Sequence, residues 1–250
     1  MTAAGGIQVI NRAAQILRQL KHDNSGQSLG TIAMETGLPR STVQRIVNAL
    51  AAEALVTTSG KNGDLRLGPE IQSLAAAGRI DVLHALRPKL EGLSDVTGET
   101  VDLARFQVSH MTFIDQVAGR HRLRAVSIPG EDFPLTTTAN GKAALSLLPD
   151  DDVVDLYQGE VPDEDASLFL DEISRARNEG LAFDLDEHTV GISAVGAAFQ
   201  TVSHEIYAVS IPAPTQRFDQ KRAEIEAALL RFMHETIAGD PNFVQSERNR

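Results

Sequence analysis

The chain has 250 residues, 42% hydrophobic and 23% charged, with a net charge of -11 and no cysteine. That length suits one large domain or two ordinary ones, and the composition is globular. Without Cys there are no disulfides and no thiolate metal sites, which fits a reducing, cytoplasmic setting.

No apolar run approaches the ~18 residues of a membrane span, and the start MTAAGGIQVINRAAQILRQL has no basic region followed by an apolar core. Neither a membrane partner nor a signal peptide is expected. In chain order, Ile7 to Lys21 predicts a helix, with Ile10, Ala13, Leu17 and Leu20 at steps of three or four. Asp23 to Gly26 reads as a loop. Ser28 can cap a short helix, Leu29 to Glu35, and Gly37 can end it in the left-handed conformation. Pro39 suits the start of a third helix running to about Ala52. Leu55 to Thr58 and Leu65 to Leu67 flank a Gly/Asn/Asp loop and read as a β-hairpin. Helix, short helix, Gly turn and helix followed by a hairpin is the order of a winged helix-turn-helix.

Pro69 to about Gly78 reads as a linker helix, and Val82 to Val96 carries the stripe Leu83, Leu86, Leu90, Leu93. Strands are expected at Val101–Phe106, Met111–Val117, Leu123–Val126, Leu181–Leu185, Ile192–Phe199 and Ile206–Ile211. Helices are expected at Asn140–Leu148, Asp165–Glu179 and Phe218–Ala238, with Asp150–Asp152 as a solvated helix start. The pattern predicts an α+β domain on one antiparallel sheet.

Charge is uneven along the chain. Residues 1–68 hold seven basic and four acidic side chains, and the other 182 hold sixteen and thirty. A polyanion would therefore meet the N-terminal part. On the third helix Val43, Ile46, Val47 and Leu50 share one face, and Ser41, Gln44, Arg45 and Asn48 share the other. Arg45 suits guanine O6 and N7, and Gln44 or Asn48 suits adenine N6 and N7. Arg40, Ser41 and Thr42 can hold phosphates at the helix N-terminus, and Lys61 and Arg66 can reach the backbone from the wing.

The run Asn140-Gly141-Lys142-Ala143 is not a P-loop, because Thr136 and Ala143 occupy positions that need Gly and Ser or Thr. Gly141 is expected in close backbone packing and Lys142 in solvent. Glu187-His188 and His204-Glu205 are isolated pairs without a third metal ligand. No cofactor and no metal is expected. Asp184, Asp186 and Glu187 form an acidic cluster that reads equally well as a solvated turn.

SLGTIAMETGLPRSTVQRIVNALAAEALV followed by GDLRLGPEI resembles the winged helix-turn-helix of IclR-family transcriptional regulators, with Leu65 where the family's strand usually has an aromatic residue. LRPKLEGLSDVTGETVDLARF, PLTTTANGKAALSLL, EGLAFDLDEHTVGISAVGAAF and AVSIPAPTQRF resemble successive parts of its C-terminal domain. The likeness runs from about Ile7 to Gly239. It implies three parts: a winged helix-turn-helix over 1–68, a linker helix over 69–80 and a GAF-like effector-binding domain over 81–250. It also implies a homodimer or dimer of dimers on double-stranded operator DNA. Its pocket positions fall on Ala139, Asn140, Asp184, Ala194 and Ser210. Ala194 replaces a common Cys, and Pro212 replaces a Ser that some members carry. The resemblance thus implies a less polar pocket, and as effector a small organic acid, larger and more apolar than glyoxylate or pyruvate and possibly aromatic.

The expected protein is a ligand-responsive DNA-binding regulator, repressor or activator. A small-molecule-processing enzyme with an accessory winged-helix domain is the alternative. A winged helix that binds protein is a third reading.

Overall fold

The computed structural model describes residues 8–21, 26–59, 64–77, 81–162 and 165–244. Two compact units divide the chain, Met1–Arg79 and Ile80–Arg250.

In the first unit, α1 (Gln8–Lys21), α2 (Leu29–Thr36) and α3 (Arg40–Ala52) pack on a two-stranded wing, β1 (Val56–Ser59) and β2 (Asp64–Leu67), followed by α4 (Pro69–Ala77). Ser28 Oγ accepts the Thr31 N–H at 3.1 Å, and Gly37 has φ 65°. A short polar side chain thus starts α2 and a glycine lets it stop. The core comprises Ile16 and Leu20 of α1, Ile32 of α2, the four α3 residues Val43, Ile46, Val47 and Leu50, and Val56 and Leu65 of the wing. The apolar line of α1 differs from the expected one: Ile10 is exposed and Ile16 is fully buried. Ile10 lies in the first turn of α1. Ile7, the Asp23–Ser25 loop, the tip of the wing with Lys61, and Gly78 lie outside the described residues.

In the second unit, α5 (Val82–Thr97) precedes β3 (Val101–Phe106), β4 (Met111–Val117) and β5 (Asp132–Phe133). Three helices follow, α6 (Ala139–Leu145), α7 (Asp150–Glu160) and α8 (Ser167–Glu179). Then come β6 (Ala182–Leu185), β7 (Ile192–Thr201), β8 (Ile206–Pro214), α9 (Thr215–Phe232), a π-helical turn (Met233–Ile237) and β9 (Phe243–Val244). The sheet is antiparallel with order β5-β4-β3-β8-β7-β6, and β9 pairs with β7. Side chains alternate across it. Leu103, Val195, Ala197 and Val209 face α5 and α9, where Leu86, Leu90, Phe218 and Leu229 complete one core. Ala104, Phe113 and Ala208 face α6 to α8 and form a second core with Leu145, Val153 and Ile173.

Three expectations about its elements fail in the second unit, and a fourth, about Lys142, fails at the cavity. Leu123–Val126 is not a strand. Its backbone bonds to side chains, with Thr100 Oγ1 donating to the Ala125 carbonyl and Arg217 to that of Leu123, so it crosses the sheet face as a strap. Leu83 of the α5 stripe is exposed. The closing helix turns π-helical at Met233, where the Ala238 N–H reaches back five residues to the Met233 carbonyl. Among the described residues, no helix is long and apolar enough to cross a membrane.

Candidate DNA-reading face and effector cavity

On α3 the buried and exposed lines separate cleanly. Arg40, Ser41, Gln44, Arg45 and Asn48 are exposed, Thr42 is half-buried, and Arg66 is exposed on β2 opposite Thr57. The Pro39 carbonyl accepts the Thr42 and Val43 N–H groups and closes the first turn. Gln44 Nε2 donates to Asn48 Oδ1 at 2.8 Å, one helical turn on. The pair leaves Gln44 Oε1 as an acceptor and Asn48 Nδ2 as a donor, the complement of one adenine edge.

The second unit holds a cavity of about 370 Å³ between the sheet and α6. Its floor follows from strand register. Asp102, Ser210 and Gly196 are paired in one row across β3, β8 and β7, and Pro212, Ala194 and Asp184 in another across β8, β7 and β6. Alternation puts both rows on one face. Ala139 and Asn140, at the start of α6, sit directly on this floor. A Cβ on Gly196 would stand 2.6 Å from the Ala139 carbonyl oxygen, so glycine alone admits the helix so close. One on Gly141 would lie 2.3 Å from the Leu135 carbonyl oxygen. Ala139, Asn140, Asp184, Ala194 and Ser210 therefore all line one cavity, together with Pro212.

Several walls of the cavity escape a sequence reading. Phe133 and His188 meet over it with ring centroids 5.1 Å apart, although their segments belong to opposite ends of the sheet. The strap contributes Arg124 and Ser127. Asp102 is 1% exposed; it accepts from Gln116 Nε2 at 2.7 Å and from Ser127 Oγ at 3.2 Å. Burial pushes its carboxyl up to about 7, against the pull of those two hydrogen bonds. Asp184 is 5% exposed and is also raised by burial, opposed by the Glu187 and His188 N–H groups bonded to its Oδ1. The signal for Asp102 was present in the sequence, since it shares the β3 face with Ala104 and Phe106, where a carboxylate is out of place. Ala194 and Pro212 bring no side-chain polar atom to the floor, but Asp184 beside Ala194, and Asp102 and Ser127 on the other side, do.

Lys142 is fully buried, contrary to the expectation of solvent. Its Nζ donates to Glu172 at 2.7 Å and Glu187 at 2.5 Å, tying α6 to α8 and to the turn after Asp184. Glu160 of α7 accepts from the Leu135 and Thr136 N–H groups and from Thr136 Oγ1, and Thr138 Oγ1 accepts the Gly141 N–H. The TTTANGKA turn is thereby held from outside the cavity.

A winged three-helix fold in one unit and a walled cavity in the other match the architecture of a ligand-responsive DNA-binding regulator. Residues 9–60 match the IclR helix-turn-helix domain and residues 74–238 match the family described as bacterial transcriptional regulator IclR C-terminal. The chain belongs to the IclR family of transcriptional regulators, which are not enzymes. It is 43% identical over 243 residues to the HTH-type transcriptional regulator Rv1719 of Mycobacterium tuberculosis, covering 95% of this chain and 94% of that one. To the HTH-type transcriptional regulator TtgV of Pseudomonas putida it is 36% identical, covering 91% and 89%. The fold is shared with Thermotoga maritima IclR (TM-score 0.57, 21% identity, 92% and 98% covered) and Pseudomonas aeruginosa HmgR (TM-score 0.58, 23% identity, 92% and 96% covered).

Proposed function

We propose that the protein reads its operator with Arg45, Gln44 and Asn48 of α3, placed by phosphate contacts from Arg40, Ser41, Thr42, Lys61 and Arg66. In this reading it acts as a cytoplasmic homodimer or dimer of dimers, repressing or activating. Residues 69–80 link the winged domain, 1–68, to the effector-binding domain, 81–250. The effector is a small organic acid with an apolar, aromatic body, held in the cavity lined by Ala139, Asn140, Asp184, Ala194 and Ser210. The observation that carries this reading is the convergence of those five residues on one cavity. Phe113, Phe133 and Ile192 supply apolar wall, and Arg124 supplies a cation for the acid. Binding there shifts the population of reader spacings across the dimer.

A gel shift on the DNA upstream of the gene, across a salt series, tests the reading. A sequence-selective complex that weakens steeply with salt and is altered by aromatic acids supports it. Binding no better than to random DNA, with and without a metabolite extract, would refute it.

A further inference from the structure

Resting on the reading of this cavity as the effector site, we propose that the strap, Arg122 to Ser127, is its gate, lifting as a unit while the rest of the wall stays closed. The strap has no buried residue of its own. Each position from Arg122 to Ser127 is exposed or half-buried, and its apolar side chains Leu123 and Val126 are 72% and 65% exposed. Among the described residues, it makes no backbone-to-backbone hydrogen bond. Three side-chain bonds hold it instead. Arg217 Nη2 donates to the Leu123 carbonyl at 2.9 Å, Thr100 Oγ1 to the Ala125 carbonyl at 2.7 Å, and Ser127 Oγ to Asp102 Oδ2 at 3.2 Å. A segment with few buried contacts and no ladder opens far more readily than the domain unfolds. The ends are fixed. The Arg120 N–H bonds to the Gly98 carbonyl, the His121 ring lies 3.4 Å from Glu99, and the Gly130 N–H bonds to the Phe113 carbonyl.

The posts are built to stay behind. Arg217 donates from Nε and Nη2 to the fully buried Glu99 at 2.5 and 2.7 Å. Thr100 Oγ1 also accepts the Gly119 N–H, and Asp102 Oδ1 accepts from Gln116. Each post thus keeps a partner when the strap lifts, and the freed groups of the strap meet water. The facing wall is tied more firmly. In the turn between β6 and β7, Asp184 accepts the Glu187 and His188 N–H groups and Asp186 accepts that of Gly191. The Gly191 carbonyl accepts the Thr215 N–H, and Glu187 accepts from the buried Lys142. The floor is core, with Asp102, Ala139, Asn140 and Ser210 at most 3% exposed. Entry therefore falls to the strap, whose Arg124, Ala125, Val126 and Ser127 line the cavity. Of the three posts, Asp102 alone lines it too, so the Ser127–Asp102 bond is the latch that faces the interior.

Because the chain has no cysteine, one introduced thiol reports on one place. Ala194→Cys puts it on the cavity floor, and Ala144→Cys puts it in the second core, outside the cavity lining. The rate of reaction of the full chain with 5,5′-dithiobis(2-nitrobenzoate) is compared with that of the same thiol in urea. The thiol at position 194 is expected to react at least about tenfold slower than in urea and at least about tenfold faster than the thiol at position 144. Ser127→Ala should speed position 194 about threefold, and Ser127→Ala with Thr100→Val about tenfold, with position 144 unchanged within about twofold. Should the double variant not fold, Ser127→Ala alone decides. Asp186→Gly, which loosens the facing turn, should leave position 194 unchanged. Four results would overturn the gate: position 194 reacting as fast as in urea, reacting no faster than position 144, ignoring Ser127→Ala, or responding to Asp186→Gly instead. The assay needs no effector, so failure of the underlying reading looks different. Strap opening beside an operator complex that no metabolite alters would keep the gate and remove the effector.

Discussion

On α3 the side chains offered to a partner stand outside a core that is complete without them. In the second unit two carboxylates facing the cavity, Asp102 and Asp184, also hold the fold together. Arg45 and Gln44 touch nothing that Val43, Ile46, Val47 and Leu50 need for packing. Asp102, by contrast, anchors the strap through Ser127, and Asp184 caps the turn that carries Glu187 to Lys142. A reading face can therefore change its specificity at little cost in stability. The cavity wall is less free to change, because Asp102 and Asp184, which line it, also hold the strap and the turn after β6.

Substitutions sharpen that contrast. Arg45→Ala is expected to cut specific operator affinity about 100-fold or more, as each half-site of the proposed dimer loses its proposed bidentate contact. Its free energy of unfolding in urea should stay within about 0.5 kcal/mol of the parent. A large loss of stability would mean that the face is structural. Lys142→Ala should do the reverse, costing about 3 kcal/mol in urea unfolding by leaving Glu172 and Glu187 facing a void, while the reader keeps its operator preference. Lys142→Met, which refills the space, should cost less, and equal losses would show that packing and not charge holds this corner.

Asp102→Asn probes the overlap directly. The folded carboxyl titrates near 7, against an ordinary 3.8, so the folded chain binds the proton more tightly than the unfolded one. Its contribution to stability is present below about pH 4 and is lost as pH rises to about 7. Asn carries no such penalty, so the variant should gain about 1–3 kcal/mol on the parent between pH 5 and pH 8. A difference that does not change with pH would show the carboxyl ionised throughout. The smallest effect belongs to the amide pair. Gln44→Ala and Asn48→Ala should each cost about 1 kcal/mol and relax the same base pair, with a double variant less than additive. Additive losses at two different base pairs would show that the amides read separately.

The reader was legible in the sequence because its determinants are local. Ser28, Gly37 and Pro39 act within one turn of their own positions, and a 3.6-residue period sorts α3 into two faces with no knowledge of the fold. The same local logic misplaced Ile10 and took Leu123–Val126 for a strand. An alternating run becomes a strand only if a neighbour offers a ladder. Here β3 lies between β4 and β8, and β4 is paired on its other side by β5.

The sequence by itself determined the class of protein, the helices and most of the strands, and the order of the family's segments, all written in short-range periodicity and spacing. Tertiary structure alone decided that Lys142 is buried between carboxylates 30 and 45 residues away, and that Phe133 meets His188 over the cavity. These depend on contacts between residues far apart in the chain, and no local pattern of residue types encodes which distant partner removes a given charge from water.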